Sequence, residues 1–250
     1  MDNKPFHATL SNNPKKILDI GCGTGAMTHL LARKYPEAQI IGVDMSAVPQ
    51  GRYANLAHVE FVQADILDLL RDGNDARFQP ESFDYIFQRL LIFGMKGWPG
   101  YLSDVTRLLK PGGWLEIHEG NVNIRKSTNG PSLSDSWFHY PRWKADAEAI
   151  GLDIEIGAKL AGLFEATDGL NDISECIYRI FPVSWPDRPE LDGLGDRIGP
   201  MFAGVMRKTS ETQRGEEEVR EMEEDLRAVW AAGFEREDAY QMHVVVARKT

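Results

Sequence analysis

The sequence predicts an α/β fold, a largely parallel sheet with helices on both faces, and three observations carry that reading. From Lys15 to His118 short β-rich runs alternate with amphipathic helical stretches. The runs are apolar along their whole length, as strands buried on both faces require. Glycines gather where the first run gives way to the first helix, at Gly21, Gly23 and Gly25, the turn where doubly wound sheets bind ligands.

The expected strands are Lys16–Ile20, Gln39–Asp44, Val59–Asp65, Phe83–Arg89 and Trp114–His118. Between the first two, Met27, Leu30 and Leu31 recur at helical spacing and Pro36 stops the helix. Between the fourth and fifth, Tyr101, Leu102, Val105, Leu108 and Leu109 form a second apolar stripe, closed by Lys110-Pro111-Gly112-Gly113. Residues 15–120 thus make a ligand-binding core. Asn121 to Pro141 has no period and is rich in Asn, Ser, Gly and aromatics, so residues 121–170 read as an acceptor lid with helices over Trp143–Ile150 and Ile154–Ala166. A sixth strand is expected over Asp172–Pro182 and a seventh over Gln241–Arg248. Residues 183–236 between them form a helical insertion whose stretch Glu211–Asp225 sets eight carboxylates against two arginines. Val219, Met222 and Leu226 give that stretch an apolar stripe, so it reads as a surface helix with a solvated acidic face. The 250 residues make one domain.

Composition bounds the function. With 28 basic and 38 acidic residues the net charge is −10, and the densest basic clusters are isolated pairs, which argues against nucleic acid and anionic membranes as partners. No window has about 18 successive apolar residues, and the polar first 16 residues do not read as a secretory signal. Cys22 and Cys176 make neither a disulfide framework nor a metal site, so a reducing compartment, cytoplasm or nucleus, is expected and no metal.

The chemistry is concentrated in Ile17-Leu-Asp-Ile-Gly-Cys-Gly-Thr-Gly-Ala26. Glycines there let backbone approach a ligand, and the following helix N-terminus presents free N–H groups. Read as G-x-G-x-x-A with Asp44 about 20 residues on, the stretch also passes for a dinucleotide fingerprint. Two acids turn the balance. Asp19, two residues before the first glycine, repels a pyrophosphate and suits a cationic amino group, and Asp65 can accept from an adenine amine. With Asp44 on two ribose hydroxyls, the three describe S-adenosylmethionine (SAM).

The run Leu109-Lys-Pro-Gly-Gly-Trp-Leu-Glu-Ile117 makes the resemblance specific. Together with Lys16–Gly25, Tyr35–Ser46, Phe83–Phe87, Gly94-Met-Lys-Gly-Trp-Pro99 and, more loosely, Pro182–Pro186 and Tyr240–Lys249, it resembles a class I SAM-dependent methyltransferase of the fungal LaeA-like group. Members usually carry a covering helix ahead of the first strand, where this chain has 15 residues, and Gly97 stands where an acid is usual. The resemblance implies a Rossmann-like seven-stranded sheet and a cofactor site in which Asp19, Gly21, Cys22, Gly23 and Gly25 line the methionine end. Asp44 and Met45 would hold the ribose, Asp65 and Ile66 the adenine, and Gln88 the side near the sulfonium, with S-adenosylhomocysteine as product.

An O- or N-acceptor with a proton to lose gains from a base, for which His118 and His139 are the candidates. Trp98, Trp137, Tyr140 and Trp143 are candidate walls for a flat apolar acceptor. The leading expectation is methyl transfer to a small-molecule secondary metabolite. Two others stand beside it: a LaeA-like regulator docking a protein partner or forming a homodimer, and a SAM-binding enzyme of non-methylating rearrangement.

Overall fold

A computed structural model describes residues 4–10, 13–49, 51, 56–126, 130–183, 187 and 195–250. Seven strands form one sheet: β1 (Lys16–Ile20), β2 (Gln39–Asp44), β3 (Val59–Gln63), β4 (Phe83–Arg89), β5 (Leu109–Arg125), β6 (Leu170–Ile180) and β7 (Ala239–Lys249). Helices α1 (Ala26–Lys34), α2 (Ile66–Asp72), α3 (Trp98–Leu108), α4 (Tyr140–Ala149), α5 (Ile156–Glu165), α6 (Gly195–Ser210) and α7 (Glu216–Ala232) connect them. The strand order is β3-β2-β1-β4-β5-β7-β6, with β7 antiparallel to both neighbours and the other pairings parallel. This is the Rossmann-like class I sheet expected from the sequence. Its order reverses between β1 and β4, which opens a crevice at their carboxyl ends.

β1, β2 and β4 have the expected bounds, while three other elements correct the reading. β3 stops at Gln63, and Asp65 instead caps α2 by accepting from the Leu67 N–H at 2.9 Å. β5 runs on to Arg125 because β7 pairs with it through Asn121, and the polar Asn121 and Asn123 are buried with their side-chain carbonyls accepting from the Asn123 N–H and the Ser132 hydroxyl. That pairing takes residues 121–125 out of the expected lid. α5 lies against the sheet itself: a Cβ on Gly157 would sit 2.7 Å from the Gly120 carbonyl oxygen, so a larger side chain cannot enter. α6 and α7 fall between β6 and β7, as expected of an insertion. Part of Pro182–Pro186 and the start of the insertion lie outside the described residues.

The sheet buries two different cores. On one face Leu18, Ile20, Ile86, Leu115, Ile117 and Val245 pack with α2, α3 and α5, and that core continues into α4, α6 and α7. On the other, Ile17, Ile40, Tyr85, Phe87 and Val244 meet α1 and the segment carrying Phe6 and Ala8. The segment is tied down by Glu116, fully buried on β5, whose carboxylate accepts from the His7 N–H (2.8 Å), the Ala8 N–H (2.8 Å) and the Tyr85 hydroxyl (2.9 Å). His118 Nε2 lies 2.6 Å from the same carboxylate. Replacing Glu116 with Ala strands these donors in a dry core, a loss of about 3 kcal/mol or more. Urea unfolding is expected to show that drop, and hydrogen exchange to speed up at His7 and Ala8 before the β1–β2 ladder.

Candidate functional site

The glycine turn is set by backbone. The Gly21 and Cys22 N–H groups donate to the Val43 carbonyl (2.8 and 3.1 Å), locking the β1 turn to β2. Gly21 lies at φ 67°, and a Cβ there would stand 2.3 Å from Leu91 Cδ2. Gly25, at φ 79°, starts α1. The Asp44 carboxylate bridges two loops: Oδ2 accepts from the Gly23 N–H and Oδ1 from the Ser46 N–H, both at 2.8 Å. Each oxygen keeps a lone pair for a ligand hydroxyl.

These turns frame an open cleft with a cavity volume of about 110 Å³ over the ends of β1, β2 and β3. Gly21, Asp44, Met45, Asp65 and Ile66 line it, together with Ile20, Val43, Ala64 and Leu67. The fourth side is the β4–α3 connection, through Leu91, Gly94 and Met95. Asp65 spends Oδ1 on its helix cap and has Oδ2 to offer. Met45, 68% exposed, stands at the mouth as an apolar flap.

Asp19, Cys22, Gly23, Gly25 and Gln88 are not among the lining residues. Asp19 is buried beneath the turn and accepts from Thr28 Oγ1 at 2.6 Å. Burial pushes its carboxyl up to about 7, and the Thr28 hydrogen bond and the Arg89 charge offset this only in part. Burial, with Asp19 and Asp44 nearby, likewise pushes the Cys22 thiol up to about 12, so it is a packing residue and no nucleophile.

Gln88 is fully buried, and its place near a sulfonium is replaced by a structural one. Its amide donates to Glu119 Oε1 (2.9 Å) and its carbonyl accepts from the Tyr101 hydroxyl. Glu119 also accepts the Leu91 N–H (2.7 Å) and the Ile92 N–H (3.0 Å), so one buried carboxylate pins the cleft's fourth wall to β5. Burial raises Glu119 to about 7, against those three hydrogen bonds. The sequence gives Glu119 no such role, because the signal is a loop's backbone N–H groups meeting a strand residue 28 positions on.

A second cleft, of about 300 Å³, opens on the far side of the same connection. Leu90, Ile92, Phe93, Gly120, Asn121, Val122, Tyr240 and Met242 form its floor, and Arg197, Ile198, Met201 and Phe202 of α6 form its roof. Leu90 sits at φ 59°, a backbone a leucine rarely adopts, with its side chain 53% exposed at the rim. No periodicity points to Arg197 or Tyr240 as site residues.

The expected bases and acceptor wall fall elsewhere. His118 is buried on the opposite face, between Glu116 and the Phe87 ring at 4.9 Å. His139 precedes α4 and borders a small cavity among α4, α6 and α7, along with Trp137, Tyr140 and Trp143. Those aromatics hold the helices together instead of an acceptor: Trp143 Nε1 donates to Thr209 Oγ1 (3.0 Å), the Tyr140 hydroxyl to Glu155 (3.1 Å), and Trp137 meets Trp230 edge-on at 5.9 Å. Trp98 is buried at the start of α3 against Tyr101. Among the described residues no group of His, Cys, Asp and Glu could hold a metal ion, and no helix is long and apolar enough to cross a membrane.

Comparison with known proteins supplies the remaining observation: the family described as "Methyltransferase domain" matches residues 1–174. The chain belongs to the methyltransferase-domain family. It is 30% identical over 205 residues to methyltransferase pytC of Aspergillus terreus, covering 81% of this chain and 60% of that protein. It is also 30% identical to the secondary metabolism regulator LAE1 of Cochliobolus heterostrophus, over 72% of this chain and 57% of that one, in keeping with the LaeA-like resemblance. This methyltransferase domain therefore spans about 60% of the length of such relatives. The structure of a putative sarcosine dimethylglycine methyltransferase from Galdieria sulphuraria superposes with a TM-score of 0.53 at 17% identity, over 96% of this chain and 80% of that one, and shares its fold.

Two outcomes follow from this geometry. Gly21→Ala puts a side chain at positive φ and against Leu91, and urea unfolding is expected to show a loss of about 1–2 kcal/mol from the backbone conformation alone. Asp19 and Glu119, at about 7 in the native protein against ordinary values of 3.8 and 4.5, hold protons that the unfolded chain has released. Stability therefore falls as pH rises from about 4 through 7. The thermal midpoint is expected to drop between pH 5 and pH 8, and Asp19→Asn to flatten that slope.

Proposed function

We propose that this domain binds S-adenosylmethionine in the cleft over β1, β2 and β3 and transfers its methyl group to an O or N atom of a small molecule held in the second cleft. Asp44 carries the reading. It stands at the end of β2 with both oxygens oriented by backbone N–H groups and a lone pair left on each, which fits a ribose diol. Around it the donor set suits the rest of the cofactor. Met45, Ile66, Leu67 and Met95 supply apolar surface for an adenine, Asp65 Oδ2 an acceptor for its amine, and the acid Asp19 lies under the turn where the aminoacyl end would rest. When bound, the cofactor supplies an electrophilic methyl on a sulfonium. The chain's own task is to align the acceptor and exclude water. Similarity to a secondary metabolism regulator, LAE1 of Cochliobolus heterostrophus, supports a secondary metabolite as acceptor.

Titration calorimetry with S-adenosylhomocysteine tests the cofactor. Binding is expected in the wild type, and Asp44→Ala removes two charge-assisted hydrogen bonds, weakening it roughly 10- to 100-fold. Absence of binding, or an unaltered Asp44→Ala variant, overturns the reading. A thermal shift with NAD and none with S-adenosylhomocysteine would restore the dinucleotide alternative. Incubation with methyl-labelled SAM and a metabolite extract then identifies transfer by the mass of one added CH2.

A further inference from the structure

Each polar side chain of the second cleft can donate a hydrogen bond. Its walls are apolar, from Leu90 and Phe93 on the floor to Met201 and Phe202 on the roof. Three polar side chains face that space. Asn121 gives its carbonyl oxygen to the Asn123 N–H at 3.1 Å, which leaves its NH2 to donate. Tyr240 has its ring 5.8 Å from Phe202, and burial pushes its hydroxyl up to about 12, so it stays protonated. Arg197 lies on α6 at the exposed end of the roof and makes no hydrogen bond or ion pair with any described residue. A free guanidinium beside an apolar cavity is a ready anion partner.

What is missing from the lining matters as much. No His, Asp, Glu, Lys or Cys is among the described residues that line the cleft. His118 lies on the other face of the sheet, His139 at the α4 cavity, and both Glu119 oxygens are engaged by Gln88, Leu91 and Ile92. Among the described residues no base stands ready to take the proton of an alcohol or amine acceptor.

We infer that the second cleft takes an elongated apolar carboxylic acid, whose carboxylate is held by Arg197 with Asn121 and Tyr240, and that the product is its methyl ester. The inference rests on the proposed SAM-dependent transfer and narrows its acceptor. A carboxylate is already the nucleophile at neutral pH. One of its oxygens forms the O–CH3 bond, the S–CH3 bond breaks with its electron pair left on sulfur, and no proton moves. Apolar walls bind the acid's body, and the two clefts adjoin at the Leu90–Met95 connection they share.

Binding by calorimetry tests this apart from turnover, with farnesoate and trans-cinnamate as probes and farnesol and cinnamamide as neutral isosteres, in the presence and absence of S-adenosylhomocysteine. At least one acid is expected to bind tenfold or more tightly than its neutral isostere. Arg197→Gln is expected to erase that preference while leaving S-adenosylhomocysteine affinity and the neutral isostere's affinity as they were, and Arg197→Lys to keep part of it. Acids and isosteres binding alike, neither acid binding, or a preference that survives Arg197→Gln overturns the inference, as does transfer of labelled methyl to a hydroxyl or amine. Failure of S-adenosylhomocysteine to bind strikes the cofactor reading instead, and the acid preference is read without it.

Discussion

One buried carboxylate, that of Glu119, fixes the wall on which both clefts are built. A parallel sheet with the order reversed at β1 and β4 leaves a crevice there, but a crevice is only a gap until something holds its sides. The connection from β4 to α3 is irregular, and irregular backbone carries N–H groups that need partners. Glu119 takes two of them, at Leu91 and Ile92, and Gln88 and Tyr101 complete the network from β4 and α3. The residues so fixed then face opposite ways, Leu91, Gly94 and Met95 to one cleft and Leu90, Ile92 and Phe93 to the other. A loop held by weaker bonds would let the two clefts drift relative to each other, and transfer reactions are sensitive to displacements of about 1 Å.

The same strand does this twice. Side chains of β5 alternate between faces, so Glu116 and Glu119, three positions apart, point into opposite cores. Glu116 ties residues 7 and 8 and Tyr85 on one face, while Glu119 ties residues 91 and 92 on the other. Each is expensive to bury and each is surrounded by donors, which is the condition under which a buried charge specifies structure.

Much of the fold is legible in the sequence. β1, β2 and β4 are uniformly apolar runs bounded by turn residues, and buried parallel strands leave that signature. Asp44 and Asp65 were found because loop acids at strand ends are placed by topology alone. The far end of β5 was not legible, since Asn121 and Asn123 look like loop residues until β7 and Ser132 are seen to satisfy them. Composition likewise pointed to Trp137, Tyr140 and Trp143 as a binding surface. Aromatic rings in a chain segment announce burial, but only the packing of α4 on α6 says against what. Arg197 has no local signal, because its meaning lies in pairing with none of the described acids.

That contrast reaches the acidic helix. Half of the net negative charge sits on and just before α7, and its apolar stripe does pack inward, with Val219 and Met222 fully buried. The carboxylates are less idle than a solvated face suggests. Arg207 of α6 makes a two-pronged pair with Glu223, through Nε and Nη2 at 2.9 Å each, and reaches Glu216 at 3.0 Å. Arg214 bonds Asp146 of α4 at 2.6 Å and Glu218 besides. Exposed pairs contribute under about 1 kcal/mol apiece, but a two-pronged pair with one partner nearly buried constrains geometry more than a single contact does. Further along, Gly199 lies so close to the Trp230 indole that a Cβ there would come within 2.8 Å, and Phe202 meets the same ring at 5.5 Å. The acidic helix thus braces α6 at both ends, and residues 197–202 of α6 are the roof of the second cleft. The basic residues α7 engages lie toward the C-terminal end of α6 and beyond it. Arg197, at the other end, keeps its charge for whatever enters beneath.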